Sequence, residues 1–519
     1  MESSVLFTII IAHSFWVTFS EAADSKIDSV PITLSVDPSK VVRNVRNEFI
    51  SVGLDASMVR HKWCNINWQN ALTFARPLAP AFLRFGGNDA DRMWFEDLPM
   101  ANRKTKPCDP AGCGDHGIDN FTMTASDLDR LHWLTSSANW KLIFDLNALI
   151  RDPITQRWEP KLNAKKFLDY ASEQKYEMDF ELGNEPNSFR HHYNYTVSGS
   201  MLAHDYATLK KFLSSYEMYQ DSKLIGPSTT QPDQRHRRTK QFIEKFIHSK
   251  GCNSIDALTF HHYYVNGRTA TLDQFTSPEI LDELRPELAT INKMNRICRK
   301  SIWIGETASA YGGGAANLSN SYAASFMWLD KVGLSVLFGL DVIVRQSFFH
   351  GYYGLLNEST QPNPDYWLTL LMKQLLHTRV LRVRVSLSHE NADVAVVPES
   401  ALRFYASCNQ TSITVYGMNL ARQTVSARVQ LMNSSNAVVA RVDQYMYAPV
   451  DRDLLSRQVM LNDRHIVSTP SQPIPNLISY AQRVDQWPVP IPSRRIVFFV
   501  VHIDPGHAHD VCSTFCKNC

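Results

Sequence analysis

Between residues 49 and 348, short apolar runs rich in β-branched and aromatic residues alternate with longer stretches in which apolar positions recur every three or four residues. The short runs predict strands at 49–55, 82–87, 141–148, 178–185, 223–228, 257–263, 301–307 and 341–348. The stretches 161–175, 201–216, 239–249, 278–299 and 320–334 predict amphipathic helices between them. Eight strands with intervening helices is the count of a (β/α)8 barrel. A doubly wound open sheet shares the alternation, and the strand count favours the barrel.

After about residue 385 the period changes. Runs at 412–420, 425–432, 438–447 and 494–503 follow one another with turn-like breaks and little helical spacing, which predicts an antiparallel β-sandwich. The run 29–36 also reads as a strand and fits either unit. The expected organisation is a signal peptide at 1–22, an N-terminal strand segment at 23–48, a barrel at 49–385 and a β-sandwich at 386–519.

The leader expectation rests on the apolar run 5–19 and on Ser20 and Ala22, small residues that offer a cleavage site. The run is short for a bilayer span, and no other stretch resembles one. The chain has 519 residues, 44% hydrophobic and 20% charged, which suits two globular domains. Its net charge of +2 excludes a global attraction to polyanions such as nucleic acid, so any such binding must be local. Nine cysteines and six Asn-x-Ser/Thr sequons, at Asn120, Asn194, Asn317, Asn357, Asn409 and Asn433, fit a secreted or lysosomal protein. Cys108 and Cys113 are close enough in sequence to pair.

Two segments carry the candidate chemistry, MDFELGNEP around Glu185 and SIWIGETASAYGGG around Glu306. Each is a β-rich run that reaches a glutamate and then breaks. These are the ends of the fourth and seventh predicted strands, and a closed barrel puts both on its C-terminal face. Glycosidic cleavage needs two carboxyl groups, one as acid and one as nucleophile or base. A lone strand-end glutamate is as readily a structural ion pair; two on one face point to catalysis. Asn184 offers an amide to a sugar hydroxyl. His261 and His262 read as a structural pair, since no spaced third metal ligand accompanies them. The cluster Arg235-His236-Arg237-Arg238-Thr239-Lys240 lies in the loop after the fifth strand, which opens on the catalytic face, and suits sulfate and carboxylate groups, or else begins a solvated helix.

The segments ELGNEPNSF (181–189), HHYYVNGRTAT (261–271), WIGETASAYGGG (303–314), FMWLDKVGLS (326–335) and PDYWLTLL (364–371) resemble glycoside hydrolase family 79, within the clan A retaining glycosidases. The resemblance implies an endo-β-glucuronidase with Glu185 as acid/base and Glu306 as nucleophile, needing no cofactor or metal. Its substrate would be heparan sulfate or, as in one hyaluronan-cleaving member, hyaluronan, with association with cell-surface proteoglycans. An inactive glycosaminoglycan-binding protein is the competing expectation. Asp55, Asn184, Tyr263, Tyr311, Gly312, Gly313, Gln346 and Tyr353 match positions that shape the sugar subsites, with Tyr263 expected to hold the nucleophile by a hydrogen bond. Asn88 falls where vertebrate members have Thr. Arg235, Arg237, Arg238 and Lys240 match a basic polysaccharide-binding segment, and Arg268 follows a strand on the same face. The resemblance also implies a Cys408–Cys512 disulfide. A second basic segment, which in processed members follows an excised linker, is replaced here by FTMTASDLDRLHWL (121–134). Activity without linker excision is therefore expected.

Overall fold

The computed structural model describes residues 29–97, 119–232, 237–387, 397–433, 438–504 and 512. The leader, the Cys108–Cys113 pairing, Arg235 and most of the segment bearing on linker excision lie outside the described residues.

All eight expected barrel strands form: β1 (Ile50–Asp55), β2 (Ala81–Gly86), β3 (Trp140–Leu146), β4 (Met178–Leu182), β5 (Ile225–Thr229), β6 (Ala257–Asn266), β7 (Ser301–Tyr311) and β8 (Val342–Arg345). Every pairing is parallel, neighbours in sequence are neighbours in space, and β1 pairs with β8. A parallel bridge between Phe180 and Leu224 joins β4 to the approach of β5 and closes the ring.

Strand periodicity decides what fills it. Side chains two apart share a face, so the inward positions can be followed up each strand. Low in the barrel they are apolar: Phe82, Ile143, Ile225, Ala257, Trp303, Val342 and Val344 form a separate buried cluster. Higher, towards the C-terminal ends, they turn polar, with Arg84 on β2, Asp145 on β3, Glu181 on β4 and Thr259 then His261 on β6, all buried. The apolar plug holds the strands in place, and the charged layer above it is the floor of the site.

The second unit has a four-stranded and a nine-stranded sheet. The N-terminal strand Val30–Val36 joins the four-stranded sheet, parallel to Val425–Leu431 and antiparallel to Val383–Leu387. Arg43–Asn44 pairs with Arg379–Leu381 in the larger sheet. The chain thus enters and leaves the barrel through the β-unit. A Cys408–Cys512 disulfide is present, as is a Cys252–Cys298 disulfide. The helix Ala324–Leu337 lies between the two units and is buried on every side over Ala324–Val336. At Gly333 the ring of Tyr405 comes so close that an added Cβ would sit 2.3 Å from it, so only glycine fits. No helix among the described residues is long and apolar enough to cross a membrane.

Candidate active site

Glu185 is set by the turn that ends β4. Gly183 has φ +82° and would meet the Ala148 side chain if it carried a Cβ. Glu185 itself sits in the left-handed region at φ 51°, ψ 52°, a conformation that costs a non-glycine residue about 1–2 kcal/mol. The surroundings impose it. Asn184 N–H donates to Asp91 (2.8 Å), Glu185 N–H donates to the Ser228 carbonyl (2.9 Å), and the Glu185 carbonyl accepts from Ser188 N–H (2.8 Å). Pro186 then starts a 3-10 turn, Pro186–Ser188.

Glu306 is aimed by a slip in the ladder. Phe260 pairs with Ile304 but His261 pairs with Glu306, so β7 carries one extra residue, Gly305. A bulge of this kind re-aims the side chains beyond it. One Glu306 carboxylate oxygen accepts from the Tyr263 hydroxyl at 2.7 Å, the other from Arg84 Nη1 at 2.7 Å. The Arg84 guanidinium also donates to Glu181 (2.7 Å) and to the Asn184 side-chain oxygen (2.9 Å), and Asp145 lies 3.7 Å away. Asn184 passes the chain on to the Asn88 side chain at 2.9 Å. One buried cation therefore ties the nucleophile candidate to the residue preceding the other glutamate.

The two glutamates have different environments. The Glu185 side chain, 18% exposed, makes a 3.0 Å contact from Oε1 to His261 Nδ1. Burial pushes its carboxyl up to about 7, against the pull of His192 and Arg84. Burial drives His261 down to about 4, so its ring is neutral near pH 7. Burial and the Glu306 charge push Tyr263 well above the usual phenol range, which keeps it a hydrogen-bond donor. Behind them, burial raises Asp91 to about 7 and Asp145 well above the carboxylate range.

Both glutamates open on a cleft of about 1460 Å³. Of the residues singled out from the sequence, Asp55, Asn88, Asn184, Tyr263, Tyr311, Gly312, Gly313 and Tyr353 line it, as do Arg237, Arg238 and Arg268. Tyr353 stacks on Tyr263 with ring centroids 6.3 Å apart. Gln346 is buried behind the wall, 3.5 Å from Asp55. Arg237, Arg238 and Lys240 belong to the first turn of the helix Arg237–His248, not to a loop, and Lys240 is exposed outside the cleft. His261 faces the cleft and contacts Glu185, whereas His262 points outward, 3.8 Å from buried Glu287. Arg84, Glu181, His191, His192 and Gln231 were not singled out. A charge inside each of the apolar runs FLRFGG and MDFEL was the available signal for the first two. No group of three or more His, Cys, Asp or Glu among the described residues is arranged to hold a metal ion.

The family model for the N-terminal domain of glycosyl hydrolase family 79 matches residues 50–333. Heparanase from Gallus gallus is 36% identical over 477 residues, covering 83% of this chain and 87% of its own. Inactive heparanase-2 from Homo sapiens is 31% identical, covering 91% and 88%. The hyaluronoglucuronidase of the leech Hirudo nipponia is 27% identical, covering 84% and 91%. Among solved structures an α-L-arabinofuranosidase from Thermotoga maritima superposes with a TM-score of 0.63 at 11% identity, over 91% of this chain and all of that one.

Proposed function

The chain belongs to glycoside hydrolase family 79, and we propose that it is a retaining endo-β-glucuronidase acting on heparan sulfate. Glu185 is the acid/base and Glu306 the nucleophile. The observation that carries this is the contrast between the two carboxyls. One is desolvated and proton-holding near neutrality; the other is held on both oxygens by Arg84 and Tyr263. A desolvated carboxyl that holds a proton suits the acid, and a carboxylate fixed on both oxygens suits the nucleophile.

In the first step Glu306 attacks the anomeric carbon while Glu185 gives its proton to the departing glycosidic oxygen. The Tyr263 hydroxyl and Arg84 fix the direction of the attacking carboxylate. The glycosyl-enzyme ester that results is opened by water, whose proton returns to Glu185 as Glu306 leaves.

Arg237, Arg238 and Arg268 on the cleft wall support an anionic polysaccharide as substrate. Hyaluronan is the second reading, favoured by the absence of a Lys-rich segment from 121–134 and by the leech relative. An inactive binding protein is disfavoured by the presence of both glutamates. Secretion, and with it contact with cell-surface proteoglycans, is supported by the Cys252–Cys298 and Cys408–Cys512 disulfides and by the exposed sequon asparagines Asn120, Asn194, Asn317, Asn409 and Asn433. Product analysis with heparan sulfate and hyaluronan side by side tests the reading. Internal cleavage of heparan sulfate, lost in Glu306→Gln, is expected. Cleavage of hyaluronan alone overturns the substrate, and full activity in Glu306→Gln overturns the mechanism.

A further inference from the structure

Lys331 is a fully buried lysine on the helix Ala324–Leu337, outside the barrel wall. Its Nζ donates to the Thr307 hydroxyl at 2.6 Å and the Ala308 carbonyl at 2.8 Å, and lies 3.4 Å from the His262 carbonyl. The Thr307 hydroxyl itself donates to the His262 carbonyl. The Tyr264 ring completes the pocket, its centroid 4.4 Å from Nζ.

These partners sit directly behind the reacting pair. His262 precedes Tyr263, and Thr307 follows Glu306. Strand alternation turns Tyr263 and Glu306 inward and Thr307 outward, so Lys331 grips the outer surface of β6 and β7 at the height of the Tyr263–Glu306 contact. His262 pairs with Thr307 there, and Tyr263 with Ala308. Just below, the Gly305 bulge interrupts the ladder between the same strands. A tie across the strands is needed where the ladder is weakest. Lys331 supplies it.

Packing alone does not call for a lysine. Its neighbours one turn away, Met327, Trp328 and Leu334, are buried and apolar, and a methionine has a similar length. A buried ammonium is costly to desolvate. Burial, reinforced by Arg345, pushes Lys331 well below the ordinary lysine range, while Glu287, Asp365 and Asp330 pull it back.

We propose that Lys331 is a positioning residue that sets the alignment of Tyr263 with Glu306 by fixing β6 against β7 behind them. The inference rests on Glu306 being the nucleophile. The test measures kcat and KM per folded enzyme on a short β-glucuronide for Lys331→Met, Tyr263→Phe and the double variant. A misplacement near 1 Å lowers turnover by about 100-fold, so Lys331→Met should lose about 10–100-fold in kcat, with KM changed by less than about threefold. Because both changes act through one contact, the double variant should be little worse than Tyr263→Phe alone. Thr307→Val removes the hydroxyl that links Lys331 to His262 and should show the same non-additivity more weakly; it carries the test if Lys331→Met does not fold. An unchanged kcat with only a lowered unfolding midpoint overturns the proposal, as do losses that multiply independently with Tyr263→Phe. Glu306→Gln separates the two levels. If it retains turnover, the catalytic reading fails; if it is inactive while Lys331→Met is normal, only the positioning role fails.

Discussion

Replacing Glu185 with Gln should stabilise the protein in alkali and leave its stability in acid nearly unchanged. The side chain is held where burial lifts its carboxyl from 4.5 to about 7. The folded state therefore binds a proton that the unfolded state releases over that window. Stability from this group is complete below about pH 4.5 and lost as pH rises through about 7. Each tenfold change in proton affinity is worth about 1.4 kcal/mol. The strain on the wild type thus grows from under about 1 kcal/mol at pH 5 to about 3 kcal/mol at pH 8. Glutamine has the same shape, keeps a partner for His261 and does not ionise, so it escapes that loss. Asp91 also titrates near 7, but it does so in both proteins and cancels. Unfolding midpoints of wild type and Glu185→Gln, followed by circular dichroism between pH 5 and 8, should converge in acid and separate on the order of 3–5 °C in alkali. A gap that is constant across pH, or that opens towards acid, would falsify the claim that this carboxyl is desolvated.

The same group predicts that kcat/KM on a small β-glucuronide falls on the alkaline side with an apparent pKa near 7 in the free enzyme, read from initial rates across pH. Arg84→Met strands Glu181, Glu306 and Asp145 without their shared cation, and should cost about 3–5 kcal/mol in denaturant unfolding; a milder loss would mean the acids take up protons instead. Neutralising Arg237, Arg238 and Arg268 should raise KM for heparan sulfate and flatten its salt dependence, with kcat on a short unsulfated β-glucuronide little changed. Unchanged heparan sulfate kinetics would make hyaluronan the better substrate. Cys408→Ser opens a link spanning 104 residues and should cost about 4–5 kcal/mol in the chain-entropy description, measured as a shift in the denaturation midpoint under non-reducing conditions.

The barrel was legible because each strand announces itself locally, as a short apolar run bounded by a turn. Glu185 was legible for the same reason, since it stands where such a run breaks. Glu306 does not, because β7 continues to Tyr311 and the bulge at Gly305 re-aims it. Two carboxylates on one face of a barrel point to chemistry more strongly than to an ion pair. Arg84 was not legible. Within FLRFGG it reads as a tolerated charge, and its partners Glu181 and Glu306 are 97 and 222 residues away. Only closure of the ring brings them within 2.7 Å. Lys331 was hidden by a different effect. The amphipathic reading of its helix assigns charged positions to solvent, but Lys331 faces the outer surface of the barrel, against Thr307 and Ala308. The seven-residue strand Leu402–Cys408, wholly buried, carries an arginine and a serine that dilute its apolar signal. The N-terminal strand could be seen but not placed, because its partners Val383–Leu387 and Val425–Leu431 come more than 340 residues later.

The central claim is that Glu306 becomes covalently bonded to the sugar. A 2-deoxy-2-fluoro-β-glucuronide with a good leaving group slows the second step more than the first, so the glycosyl-enzyme accumulates. Peptide mapping by mass spectrometry after brief exposure should find the added sugar on the peptide containing Glu306, and none in Glu306→Gln. Turnover with no covalent adduct, an adduct on Glu185, or inversion of the anomeric centre in the product would contradict the account.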